Sequence, residues 1–241
     1  MGKRIFISVA MLLMLTACYN KTSEHSTEGT AQPSKKSKAT RNHVIRKHII
    51  IPHDFSYLTN MGSIDVIYTQ GNYNIEVEGD STLISYLETN FDSNLLTISL
   101  PTESNVDINL YGNTSNIRMY LSCPDLKCVS ICGNGNFECP TNWHTEDLQL
   151  GALGTGMMNL GNIECSTFSL QSTSIGDVTI NNLKAEDATI YSRSSAHISA
   201  HVDLKNLLIY NEGSQTIHLT GKAQKLLLNR PDDPNFINEL E

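Results

Sequence analysis

The stretch FSLQSTSIGDVTI, residues 168–180, sets a short apolar strand, a run of small polar residues and a second strand. The same arrangement recurs on both sides of it. LQL (148–150), FSL (168–170), ATI (188–190), LLI (207–209) and LLL (226–228) begin 20, 20, 19 and 19 residues apart, and VSI (129–131) precedes them by 19. From Leu150 to Met158, Leu170 to Val178, Ile190 to Ile198 and Ile209 to Ile217 the step is 8 in every case. Leu160, Ile180, Ala200 and Leu219 follow two residues later. A fixed period of this length is the mark of a solenoid. It predicts about five rungs over residues 129–228, with Ile131, Leu150, Leu170, Ile190, Ile209 and Leu228 in one inward column. Met158, Val178, Ile198 and Ile217 form a second column. Each rung brings about four apolar side chains, worth roughly 1.5–3 kcal/mol apiece when buried, against about 30 kcal/mol to order some 20 residues. One rung cannot stand alone; stacking must supply the rest. Plain alternation also fits an antiparallel meander, but the small residues between strands (Gly154, Gly156, Ser172, Ser174, Ser192, Ser194) favour tight parallel coils.

Upstream, GSIDVIYTQGNYNIEVEGD (62–80) alternates, with Ile64, Val66 and Tyr68 on one face and Ile75 and Val77 opposite. Gln70-Gly71-Asn72 supplies a turn, which predicts a β-hairpin over residues 63–79. STLISYLETNF (81–91) carries a serine N-cap and apolar residues at 83, 84, 87 and 91, a short amphipathic helix. LLTISL (95–100), VDINLY (106–111) and IRMYL (117–121) read as strands. The expected fold is all-β: a right-handed parallel β-solenoid with an N-terminal hairpin and one short helix.

The N-terminus reads as an export signal. Lys3 and Arg4 precede an apolar run of 12 residues, Ile5–Thr16, too short to span a bilayer, which takes about 20. Leu15-Thr16-Ala17-Cys18 resembles the bacterial lipobox, and polarity begins at once after the cysteine. Residues 1–17 are thus a lipoprotein signal peptide and Cys18 is the lipidation site. Acyl chains of the palmitate type, each methylene contributing about 0.8 kcal/mol when buried, hold the chain to the membrane. From Cys18 to residue 43 no apolar period exists, so this segment is a flexible tether. The alternative is an ordinary secretory signal with a chance cysteine. From residue 44 onward 10 basic residues face 23 acidic ones, a net charge near −13 with histidine neutral. That argues against nucleic acid, which needs a basic footprint.

FSYLTNMGSIDVIYTQGNYNIEVEGDSTLISYLET (55–89), NLLTISL (94–100) and LKCVSICGNGNFEC (126–139) resemble the putative auto-transporter adhesin family with the head GIN domain. The resemblance lies in the Gly-x-Ile-Asp-Val-x-Tyr-x-Gln-Gly opening and the later Gly-x-Gly turn, and spans about residues 44–228. It departs where Cys132 and Asn134 stand in a turn usually built from Ser and Gly. The resemblance implies an exported β-helical domain of the kind common in lipoproteins of Bacteroidetes-like bacteria. It brings no catalytic residues, and it carries fold better than function. The domain is expected over 44–228, divided into a hairpin and helix part (44–125) and repeat rungs (126–228), with an acidic C-terminal tail at 229–241.

No nucleophile elbow, phosphate loop or His-Glu-x-x-His motif is present, and no cofactor is implied. His197 and His201 are four apart, about 13 Å on a strand, with His218 one rung over beside Ser199, too far to share a metal. Five cysteines besides Cys18, at 123, 128, 132, 139 and 165, fit no zinc template. Being odd in number, they leave at least one thiol free or paired elsewhere, and read as small buried strand residues with at most one bridge. Asp125, Asp177, Asp187 and Asp203 sit at different rung offsets and do not converge as catalytic carboxylates would. Tyr191 and Tyr210 align one rung apart and are the candidate ligand-binding residues, although a stacked aromatic ladder that only stabilises the sheet fits them as well. The sequence thus points to an outer-membrane, lipid-anchored envelope protein, facing the surface or the periplasm. Its module is non-enzymatic and adhesin-like, with a surface glycan or protein as partner. A β-helix enzyme acting on polysaccharide is the alternative.

Overall fold

The spacing of apolar residues sets the stacking. In the computed structural model, which describes residues 43–100 and 117–241, the chain runs β1 (Val44–His48), β2 (Tyr57–Asn60), β3 (Asp65–Gln70), β4 (Asn74–Asp80), α1 (Ser81–Ser85), β5 (Glu88–Asp92), β6 (Leu95–Ser99), β7 (Ile117–Cys123) and β8 (Cys128–Ile131). It continues through β9 (Phe137–Cys139), β10 (Trp143–His144), β11 (Asp147–Ala152), β12 (Met158–Glu164), β13 (Thr167–Ser172), β14 (Val178–Ser192), β15 (Ile198–Asn211), β16 (Ile217–Leu228) and β17 (Phe236–Leu240). The signal sequence, Cys18, the tether up to residue 42 and the strand expected at 106–111 lie outside the described residues.

These strands build a parallel β-solenoid of about six turns with three faces. The first face stacks β6, β2, β8, β11, β13 and the last residues of β14, β15 and β16, every pair parallel. The second stacks β7, β3, β9, β12, the first residues of β14, β15 and β16, and then β17. The third runs from β10 through the end of β12 and the middle of β14, β15 and β16. The coil formed by β6 and β7 follows that of β2 and β3 in sequence, yet lies beneath it in space.

The inward columns follow the sequence rhythm with one correction. Leu150, Leu170, Ile190, Ile209 and Leu228 stack in register, but the residue beneath Leu150 is Val129, not Ile131. Ile131 sits beneath Ala152, in a neighbouring column that continues through Ser172, Ser192 and Asn211. Val129 and Ile131 both point inward and are fully buried, so alternation alone cannot choose between them. The second column, Met158, Val178, Ile198 and Ile217, is as expected, and extends downward through Phe137, Val66 and Met119.

The hairpin of residues 63–79 is corrected. β3 and β4 lie in one sheet, but β7 runs between them, parallel to β3 and antiparallel to β4. An alternating pair joined by a turn looks local, while the better partner for both arms arrives some forty residues later. The helix is shorter than its apolar pattern, since Phe91 already belongs to β5, and its cap is Asp80, whose Oδ1 accepts from the Thr82 and Leu83 amides at 2.9 and 3.2 Å. The C-terminal segment is acidic yet folded. β17 pairs with Ile217–Gly221, and Asp233, 8% exposed, accepts hydrogen bonds from Asn211 Nδ2 (2.5 Å) and the Asn235 amide (3.1 Å). Residues 44–241 accordingly form one unit around a single core.

Candidate functional site: a charged groove along the coils

The residues of the opening motif turn out to hold coils together. Asp65 Oδ1 accepts the Asn136 amide at 3.0 Å. Tyr68 is fully buried, donates its hydroxyl to the Cys123 carbonyl at 3.2 Å, and packs on Trp143 with ring centroids 4.9 Å apart. Gln70 extends the third face downward: its Nε2 donates to the Pro124 and His144 carbonyls (both 2.7 Å) and its Oε1 accepts the His144 amide (2.9 Å). Its side chain bonds the main chain of β10 as a neighbouring strand would.

Above Gln70 runs a shallow, open groove of about 830 Å3, at the corner where the third face turns into the first. The buried side chains of Cys165, Ala185 and Leu204 make its floor. One wall carries His144, Glu164, Lys184 and Asp203, stacked in register one coil apart, and the same ladder reaches Lys222. The other wall presents Glu146, Glu186 and Lys205. Lys184 Nζ lies 2.6 Å from Glu164 Oε1, and His144 Nε2 lies 3.6 Å from Glu164 Oε2. Lys205 bonds Glu186 on the opposite wall. The Lys184 ammonium, by its hydrogen bond first, holds the Glu164 carboxyl below its usual range, and Glu164 raises Lys184 in return. The signal for this ladder was present in the sequence: positions 144, 164, 184, 203 and 222 keep the rhythm of the core.

The other predicted residues are spread over the lateral faces. Tyr191 and Tyr210 are in register on the first face, as the spacing predicts, and both are half-buried. The Arg193 guanidinium lies over the Tyr191 ring, 5.4 Å from its centroid, and Glu212 bonds both Arg193 Nε (2.5 Å) and the Tyr191 hydroxyl (3.3 Å). Tyr191 is thus framed by an ion pair. His218 does sit beside Ser199; its Nε2 is 3.3 Å from Glu239 Oε2, while His201 Nδ1 meets Thr220 Oγ1 at 2.9 Å. Among the described residues no group of three His, Cys, Asp or Glu side chains is placed to hold a metal ion. Asp177 binds the His197 amide (2.8 Å) and Asp187 binds Asn206 Nδ2 (2.6 Å). Asp125 and Asp203, by contrast, both line the groove, which brings two of the four onto one surface.

Cys123, Cys128, Cys139 and Cys165 carry buried thiols. Burial pushes the thiols of Cys123, Cys128 and Cys165 up to about 12 and that of Cys139 to about 11, from an ordinary 9.0. Near pH 8 roughly one such thiol in 10⁴, or about one in 10³ for Cys139, is ionised, so these four should resist iodoacetamide in the native chain and react once denaturant opens it. Alkylation of native chain at the denatured rate, read by mass spectrometry, would refute the burial. Raised values favour the folded state below about pH 9, and that contribution should fall as pH climbs from 9 toward 12.

Fold and groove define a class: all-β solenoid modules whose lateral ladders of paired polar side chains repeat at every coil. The family described as putative auto-transporter adhesin, head GIN domain, matches residues 54–181, just over half of the sequence, and the chain belongs to it. A putative adhesin from Bacteroides fragilis NCTC 9343 shares the fold with a TM-score of 0.60 and 16% identity, over 83% of this chain and 95% of that one. A putative adhesin from Parabacteroides merdae ATCC 43184 gives 0.55 and 18% identity, over 82% and 94%. One from Parabacteroides distasonis ATCC 8503 gives 0.50 and 15%, over 83% and 96%. No curated protein matches the sequence.

Proposed function

We propose that this chain is a cell-envelope lipoprotein, acylated at Cys18 and held in the outer membrane, whose solenoid is a non-enzymatic, adhesin-like binding module for a surface glycan or protein. The observation that carries the binding reading is the ladder geometry. Groups such as His144, Glu164, Lys184 and Asp203 repeat at the spacing of stacked strands, about 4.8 Å. A groove lined in this way presents polar and charged contacts at even spacing along an extended chain, which suits a polymer or strand better than one reacting atom. Tyr191 and Tyr210 offer aromatic surface on the adjoining face. The family and the solved structures from Bacteroides fragilis and Parabacteroides merdae are described as putative adhesins, which favours this reading over a polysaccharide-acting enzyme.

The anchor rests on Leu15-Thr16-Ala17-Cys18 and its flanks. The Cys18→Ser chain should leave the detergent phase for the aqueous phase on partitioning, and protease added to whole cells should cut the anchored protein. If Cys18→Ser partitions like the unaltered chain, the anchor is wrong. Full protection from protease on intact cells would remove the adhesive role.

A further inference from the structure

The two ends of the solenoid are finished differently. Where residue 44 enters, β1 and β5 close the faces by running antiparallel to β4 and β6. At the far end β17 covers the second face along Ile217–Gly221. The first face stops at Lys225-Leu226-Leu227-Leu228-Asn229, which pairs with β15 on one side, and among the described residues no strand lies on the other. Leu226 and Leu228 continue the inward columns but are only half-buried, while Leu207 and Ile209, one coil below, are each 1% exposed. Leu227 points outward and is 52% exposed. In a parallel ladder alternate residues bond to each neighbour, so the open side of such a strand keeps unpaired N–H and C=O groups. Natural edges are usually blunted by charge, proline or a bulge. This one has a single lysine at its start.

We propose that Lys225–Asn229 is a docking edge for a second copy of this chain, whose own Lys225–Asn229 adds antiparallel across a two-fold axis at Leu227. The strand is complementary to itself. Centred on Leu227, the pairing sets Leu226 opposite the partner's Leu228 and Lys225 opposite the partner's Asn229. Positions 226 and 228 of both copies stay on the inward side, so the exposed ends of the two cores meet. Gln224 falls opposite the partner's Arg230, and no residue from 224 to 230 meets a like charge. That segment contains no carboxylate, although the folded part of the chain is near −13, so it is a place where two acidic copies can approach. Symmetry favours a copy in this orientation: an isologous contact uses both open edges at once and closes at two, whereas a head-to-tail contact would leave one edge open. The contact is short, below the roughly 1,200 Å2 of a standard interface, so the dimer is a weak one, with a dissociation constant of about 1 µM or higher. The edge lies at the opposite end of the second-face stack from β1, where the tether joins. The dimer does not depend on the lipid-anchored reading.

Sedimentation equilibrium of the unlipidated full-length Cys18→Ser chain tests the proposal. A monomer–dimer equilibrium is expected. At the two-fold axis residue 227 meets its own copy, so Leu227→Asp places two carboxylates together and Leu227→Lys two ammonium groups. Each variant alone should dimerise at least about tenfold more weakly, with its unfolding transition unchanged because Leu227 is exposed. An equimolar mixture of the two should restore a one-to-one heterodimer. A chain that stays monomeric at the highest concentration reached overturns the proposal. So does a dimer indifferent to either substitution, or a mixture that fails to recover association.

Discussion

Gly135→Ala should destabilise the solenoid by at least about 3 kcal/mol, whereas Gly71→Ala should change stability by less than about 1 kcal/mol. The difference lies in what a methyl group would meet. A Cβ on Gly135 would sit 2.5 Å from both the backbone nitrogen and carbonyl carbon of Ile64, and closer still to its oxygen. Gly133 and Gly154 are in the same position relative to Gly62 and Gly133, as are Gly156 and Gly176 relative to Gly135 and Gly156. The turn from the first face to the second therefore stacks backbone directly on backbone. Its amides continue the ladder, with Gly135 N donating to Gly62 O at 3.2 Å and Thr155 N to Gly133 O at 3.0 Å. Backbone has no rotamer with which to yield, so relief requires separating two coils and stretching those bonds. Around Gly71 nothing lies within 4 Å of the added carbon. Urea unfolding of both variants decides it, and a Gly135 variant as stable as the Gly71 variant would mean the coils are not in this contact.

The Gly-x-Gly turn was visible in the sequence as a turn, but its purpose was not. A glycine needed for space between coils leaves the same trace as one needed for a left-handed angle. What the sequence did reveal was whatever repeats at a constant step, because burial fixes strand register and each coil must reproduce the one below. That is why the columns through Ile190 and Ile198 could be read directly. Trp143, Ile163, Leu183 and Val202 keep the same rhythm and mark the third face, yet between longer strands they pass for ordinary alternation. The N-terminal coils were hidden for another reason. β2 takes its place between β6 and β8, and β7 between β3 and β4, so neighbours in space are not neighbours in the chain. No period survives such an exchange. The groove was missed because its depth comes from small residues, Cys165 and Ala185, which carry no distinctive pattern of their own.

Ile190→Asp should cost about 4 kcal/mol or more, and Tyr191→Asp, one residue on, about 1 kcal/mol. Ile190 is 3% exposed, with Leu170 beneath it and Ile209 above. Aspartate there would remove a packed branched side chain and leave a carboxylate among apolar neighbours. The coils cannot turn it outward, because a shift of one residue would expose every inward side chain of the strand. Protonation would relieve part of the penalty, so the deficit should narrow as pH falls toward the carboxyl's own raised value. Tyr191 faces the other way. Its loss removes the Arg193 contact over its ring and the hydroxyl bond to Glu212, both at the surface and each worth a fraction of a kcal/mol to about 1. Arg193 then remains to face the new carboxylate, which offsets some of that loss. Denaturant midpoints of the two variants, measured side by side, separate inward from outward at adjacent positions. Equal losses, or a weaker Tyr191 variant, would overturn the column on which the parallel stacking rests.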